Sequence, residues 1–163
     1  MSGVADFSAH YEKELDGLVR LAFVICGDVQ VAEDTVADAV VKVWRHWRRG
    51  HVDDLGAYLR RAVVNELIGR VRREGRHRNS RHLIGASDPP PRVEESVEDR
   101  AVIVAALRML PVDQRAVVAL RYLCDLSELE TADVLGLPLG TVKSRAARAV
   151  KRLRLEMEGS RHG

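Results

Sequence analysis

Residues 126–145 read LSELETADVLGLPLGTVKSR, and the folding of this stretch decides the class of the whole chain. Ser127 stands three residues before Glu130. At that spacing hydroxyl and carboxylate satisfy each other's backbone amides at the start of a helix. The helix is predicted to run through Leu135, because Gly136 follows as a left-handed stop. Pro138 then suits the opening of a further helix, continuing to about Glu158. Lys143, Arg145, Arg148, Lys151, Arg152 and Arg154 lie along it, and no acid interrupts the run between Asp133 and Glu156.

At 100° per residue, Val142, Ala146, Ala149, Val150 and Leu153 gather on one side of this last helix, the side that must pack inward. Thr141, Ser144, Ala147, Arg148 and Lys151 fall opposite, flanked by Arg145 and Arg152. Two readings are open. One is an amphipathic helix with a solvated basic face. The other is a helix-turn-helix whose second helix enters a DNA major groove, small residues allowing close approach. There Arg and Ser reach base edges while Lys and Arg further along meet phosphate. The capped first helix, the turn at the right distance and the absence of acids favour DNA.

Upstream, Ser96 with Asp99 gives a weaker capping pattern and opens a helix to about Leu110. Pro111 suits the first position of another, running to about Leu123. Before Ser96 the periodicity is lost. GASDPPPRVEES (85–96) carries three consecutive prolines and reads as an extended, flexible linker. The expected organisation is therefore a module over 1–75, a linker over 76–95 and a second module over 96–163.

The N-terminal module reads as three helices. Phe7, Tyr11, Leu15, Leu18 and Ala22 form one apolar stripe; Gly27 stops that helix and Asp28 can cap the next. In AEDTVADAVVKVWRHW (32–47), Val36, Val40, Val43 and Trp47 make the inward stripe, with Glu33, Asp34, Asp38, Lys42 and Arg45 off it. Its acids come early and its bases late, which suits the helix dipole. RRGHVDD (48–54) breaks the pattern as a loop. In LGAYLRRAVVNELIGRVRR (55–73), Leu59, Ala62, Val63, Leu67 and Val71 face the core. Tyr58, Arg61, Asn65, Ile68 and Arg72 make a second face, an unusual composition for plain solvent exposure. No stretch alternates convincingly, so the protein is expected to be all-α: two small helical domains, the second containing a helix-turn-helix.

Composition narrows the functional classes. The 163 residues are 46% hydrophobic and 31% charged, and 26 basic against 24 acidic residues leave a net charge of +2, so the placement of charge matters more than its sum. Cys26 and Cys124 stand apart in apolar surroundings and read as buried small hydrophobes. His10, His46, His51, His77, His82 and His162 show no ligand spacing, so neither metal nor cofactor is expected. No membrane span or signal peptide is visible, and a cytoplasmic location is expected. Asp53–Asp54 and Glu94–Glu95 are adjacent carboxylates without partner residues, so no enzyme activity is expected.

LPVDQRAVVALRYLCDLSELETADVLGLPLGTVKSRAARAVKRLR (110–154) closely resembles the fourth conserved region of bacterial sigma factors. GDVQVAEDTVADAVVKVWRHW (27–47) resembles their second region, and AYLRRAVVNELIGRVRR (57–73) its DNA-facing continuation. Order and spacing resemble the extracytoplasmic-function (ECF) group, which keeps only these two domains. The resemblance implies a protein that binds core RNA polymerase, recognises promoter DNA and helps open it. Glu33, Asp34, Asp38, Lys42 and Arg45 would then face the polymerase clamp coiled coil. The loop with Arg48, Arg49 and His51 would receive a flipped minus-ten base, Asn65 would read it, and Arg61, Arg72 and Arg73 would hold phosphates. Tyr58 would stack at the edge of the melting duplex, with core filler as the other reading. Thr141, Ser144, Arg145 and Arg148 would read the minus-thirty-five element, with Lys143, Lys151 and Arg152 on phosphate. The linker would run near the RNA path. Control is expected from outside, by an anti-sigma partner or by transcriptional regulation.

Two positions depart from the family pattern: Pro138 stands where relatives often carry a small polar cap, and Val40 replaces a larger residue. A helix-turn-helix regulator acting without polymerase is the other reading. It leaves the likeness of 27–73 to the second region unexplained.

Overall fold

The capping signals set the helix boundaries. Asp28 accepts from the Val31 amide at 3.0 Å and starts α2 (Val29–Trp47), after Gly27 has ended α1 (Ser2–Cys26) at φ +75°. The loop 48–54 then leads into α3 (Leu55–His77). The second module comprises α4 (Val97–Arg108), α5 (Val112–Val118) running on into a π-helical turn (Ala119–Leu123), α6 (Glu128–Leu135) and α7 (Leu139–Arg161). This computed structural model describes residues 2–77 and 97–162; all regular structure among them is helical.

Helices α1–α3 form a bundle around Leu18, Leu21, Val36, Val43, Leu59, Val63 and Leu67, each at most 1% exposed. Phe7 meets Trp44 edge to face, centroids 4.9 Å apart, and closes one end. Val40 and Trp47, placed by the spacing on the inward stripe of α2, are only half-buried. Ala32, Thr35 and Ala39 are fully buried instead, because small residues let α2 lie close to its neighbours. Val71 and Ala62 of the predicted α3 core face are likewise half-buried, and Val64 takes a core place. α3 runs to His77, past the expected loss of pattern near Gly75. A solvated, Arg-rich helix end has no core to face and so shows no apolar stripe.

In the second module, Val117, Ala132 and Val142 make one small core, and Leu107, Leu110, Val118 and Ala149 another. Pro111, expected at the first helical position, stands just outside α5 as its N-cap, so the helix opens one residue later, at Val112. The stretch to Leu123 is not one regular helix. Its last turn widens into the π form, with the Cys124 amide bonded to the Ala119 carbonyl at 3.1 Å. Cys26 and Cys124 are free and half-buried rather than wholly enclosed, and burial pushes both thiols up. The Pro-rich linker and the Ser96 cap lie outside the described residues.

The two modules share a core. Ala116, Ala119, Leu120 and Val134 are buried in the same cluster as the α1–α3 residues. The end of α1 is largely enclosed: Leu21, Ala22, Phe23 and Ile25 are each at most 4% exposed, with Arg20, Val24 and Cys26 half-buried between them. Arg115 donates to the Ile25 carbonyl, and Arg108 to the Gly27 carbonyl at 2.6 Å. Two guanidiniums of the second module thus satisfy carbonyls at the end of a first-module helix.

Candidate polymerase and nucleic-acid interfaces

The outward stripe of α2 exists because Ala32, Thr35, Val36, Ala39 and Val43 turn inward. Glu33, Asp34, Asp38, Lys42 and Arg45 are exposed on the remaining side. Lys42 meets Glu66 of α3 at 2.8 Å, and that hydrogen bond holds the Glu66 carboxyl below the usual carboxylate range. Gln30 donates to Asp34 at 3.1 Å. Asp38 and Arg45 show no ion pair among the described residues, so the stripe presents separated charges of both signs to a partner surface.

At the far end of α2 the chain turns at Gly50, φ +73°, and exposes Arg48, Arg49 and His51. Arg48 lies over the Trp44 ring, 6.0 Å from its centroid. The adjoining face of α3 presents Arg61 and Asn65 fully and Tyr58 and Ile68 partly. Tyr58 is not core filler alone. Its ring rests against His46 of α2, centroids 5.9 Å apart, and keeps an open side. Spacing within α3 could not reveal His46, because the contact crosses from one helix to another. Arg72 and Arg73 are exposed toward the opposite, C-terminal end of α3.

In the second module the capping box is present in full: Ser127 accepts from the Glu130 amide at 3.1 Å, and Glu130 accepts from the Ser127 amide at 2.7 Å. The Ser127 amide, together with its hydroxyl, holds the Glu130 carboxyl below its ordinary value. Gly136, at φ +63°, ends α6, and Leu137 donates back to the Ala132 carbonyl at 3.0 Å. Pro138 starts α7 without a side-chain cap; its carbonyl accepts from the Thr141 and Val142 amides at 3.0 and 3.2 Å. Val142 and Ala149 face inward, while Lys143, Arg148, Lys151 and Arg152 are exposed and Thr141 and Ser144 half-buried. The Ser144 hydroxyl donates to the Thr141 carbonyl at 3.0 Å. Arg145 differs from its neighbours. It leans toward α5, its side chain 25% exposed and 3.9 Å from Asp113, which also takes Arg72 at 2.6 Å. Asp113 had no functional signal in the sequence: an acid in the first turn of a helix reads as a complement to the dipole.

A family model described as Sigma-70 region 2 matches residues 10–77, and one described as Sigma-70, region 4 matches residues 100–153. The chain therefore carries the two regions of a sigma-70-type transcription protein. The chain is 35% identical over 161 residues to the RNA polymerase sigma-E factor of Streptomyces avermitilis, covering 95% of this chain and 87% of that protein. It is 32% identical over 163 residues to the ECF RNA polymerase sigma factor SigL of Mycobacterium tuberculosis, covering 92% and 88%. The solved structure of the sigma factor RpoE from Bartonella quintana, in complex with the anti-sigma factor NepR, matches with a TM-score of 0.79 at 27% identity, covering 94% of this chain and 97% of that one. The chain belongs to the ECF sigma factors of RNA polymerase.

Proposed function

We propose that this sigma factor divides its work between the surfaces described above, acting by binding rather than by turnover in the cytoplasm. The α2 stripe of Glu33, Asp34, Asp38, Lys42 and Arg45 docks on core polymerase. The loop residues Arg48, Arg49 and His51, with Tyr58, Arg61 and Asn65, capture unstacked minus-ten bases, and Arg72 and Arg73 hold backbone phosphate. Thr141, Ser144, Arg145 and Arg148 read the minus-thirty-five element from the major groove, with Lys143, Lys151 and Arg152 on phosphate. The observation that carries this reading is the pairing, in one chain, of an acid-and-base stripe on α2 with a continuous basic face on α7. A regulator acting without polymerase would use α7 but leave the α2 stripe without a task. Capture of a flipped base offsets an unstacking cost of a few kcal/mol, and stacking on Tyr58 returns about 1–3 kcal/mol. The likeness to a sigma factor solved with an anti-sigma factor supports a partner of that kind here.

Runoff transcription with core polymerase tests the assignment. Reversing charge at Asp34 and Asp38 should weaken polymerase affinity while circular dichroism and binding of free promoter DNA stay as in wild type. Undiminished affinity would assign the docking to another surface.

A further inference from the structure

The backbone of Tyr58 is set by α3, but its ring is met by another helix. Asp54 caps α3: its carboxylate accepts from the Ala57 amide at 3.0 Å, and its carbonyl accepts from the Tyr58 amide at 3.1 Å. A long side chain in a helix lies back over the turn before it. Tyr58 closes the first turn of α3, so only the cap stands at that place. The side chain is partly buried against the shared core, and the ring meets His46 of α2 with centroids 5.9 Å apart and planes tilted by 40°. Attractive aromatic pairs stand about 4.5–7 Å apart.

The His46 ring is itself held in place. Its Nδ1 lies 2.9 Å from the Lys42 carbonyl, one turn back on α2. A carbonyl oxygen only accepts, so Nδ1 carries the proton and donates. Lys42 in turn bridges to Glu66 of α3 at 2.8 Å. Lys42–Glu66 and His46–Tyr58 are thus successive rungs between α2 and α3. His46 remains exposed, so its ring fills no core, and it belongs to no cluster of metal-ligating side chains among the described residues.

We propose that His46 is a positioning residue for promoter opening. Its ring is the wall against which Tyr58 is set, and the open side of the tyrosine then meets an unstacked minus-ten base with its rotamer already chosen. This rests on the assignment of Tyr58 to base stacking made above. A tyrosine without that wall gives up rotamer freedom each time a base arrives. Pre-setting the ring removes that loss from the capture step. The first encounter with intact duplex, in which no base is captured, does not depend on it.

A second contact of the same make supplies a matched control. His10 of α1 bonds through Nδ1 to the Asp6 carbonyl at 2.8 Å and tilts against Trp47, centroids 6.4 Å apart. Neither His10 nor Trp47 is assigned to DNA.

The test uses holoenzyme assembled from the full chain and core polymerase on a promoter that it transcribes. Permanganate reactivity of promoter thymines reads opening, and affinity at low temperature reads the closed complex. His46→Ala should lower opening roughly two- to tenfold, the range expected when one side chain regains its freedom. Closed-complex affinity and thermal unfolding should stay as in wild type, because the residue is exposed. His46→Phe, which keeps a flat ring at the wall, should open the promoter as wild type does. Tyr58→Ala should lose more, roughly five- to hundredfold, since the stacking surface itself is gone. Adding His46→Ala to Tyr58→Ala should then cost nothing further, because His46 acts through a ring that is no longer there. Should His46→Ala unfold early, His46→Gln, a helix former without a ring, takes its place with the same expectations.

Wild-type opening by His46→Ala beside a defective Tyr58→Ala overturns the proposal while leaving the stacking role of Tyr58 in place. So does a His46 loss that persists in the Tyr58→Ala background, a His46→Phe as defective as His46→Ala, or an equal loss in His10→Ala. If Tyr58→Ala itself opens the promoter like wild type, the assignment of Tyr58 to base stacking is what fails, and His46 has nothing to position.

Discussion

Arg148 and Lys151 stand nearly one turn apart on the exposed face of α7, yet their chemistry assigns them different tasks. A guanidinium is a planar fork that matches a guanine edge, whereas an ammonium is a point charge suited to phosphate. Arg148→Ala should change sequence preference within the upstream element, at about 1–3 kcal/mol for a bidentate base contact. Lys151→Ala should weaken all sequences alike and lower the salt slope by about one counterion. Competition binding over a range of salt concentrations reads both; equal, uniform losses would remove the base-reading role of Arg148. These exposed residues were legible from the helical wheel, since an uninterrupted cationic face has no packing purpose. Arg145 was less so. The wheel places it at the flank, but only the approach of α5 sends its side chain to Asp113.

Among the elements, α6 was the most legible, because both of its ends are written in local chemistry: the Ser127–Glu130 box and Gly136. The passage from α5 to α6 was the least. Nothing in ALRYL marks a π-helical turn, in which Leu120 is buried against the first module while Tyr122 stays 64% exposed. The chain recovers at Asp125, whose φ of +54° lies in the left-handed region. The Leu126 amide then returns to the Leu120 carbonyl at 3.1 Å. Left-handed backbone costs an L-residue about 1–2 kcal/mol, least for Asp and Asn. Asp125→Gly should therefore hold or raise stability by up to about 1 kcal/mol, and Asp125→Val should lower it by about 1–2 kcal/mol. Denaturant midpoints decide this, and a loss with glycine would mean that the side chain, not the backbone, sets the turn.

Taken together, the modules unfold as their shared core dictates. Leu120 belongs to the second module by sequence but is fully buried in the cluster formed with α1–α3. Both tryptophans, Trp44 and Trp47, lie on α2 in the first module, so their fluorescence reports that module alone. Leu120→Ala should lower the stability read by tryptophan fluorescence by about 2–5 kcal/mol, the usual cost of emptying a packed leucine site. Two independent domains would leave the tryptophan transition where it was. A hint was present in LVRLAFVIC (18–26), which is apolar nearly all round, and a helix of that kind must be covered on every side. The sequence does not say what covers it, because the covering residues come from beyond a proline-rich stretch that carries no pattern of its own.

The ends of α1 and α6, the starts of α2 and α6, the all-α class, the two modules in their order and the charged faces of α2 and α7 were determined by the sequence itself. Each rests on interactions between residues a few positions apart: a cap, a glycine stop, an apolar stripe with its polar reverse. Tertiary structure alone decided that His46 would meet Tyr58, that Arg108 and Arg115 would close the end of α1, and that Asp113 would gather Arg72 and Arg145. Those pairings join residues as many as 90 positions apart in the chain. Periodicity cannot report them, because it records which side of a helix is apolar and not which partner comes to lie against it.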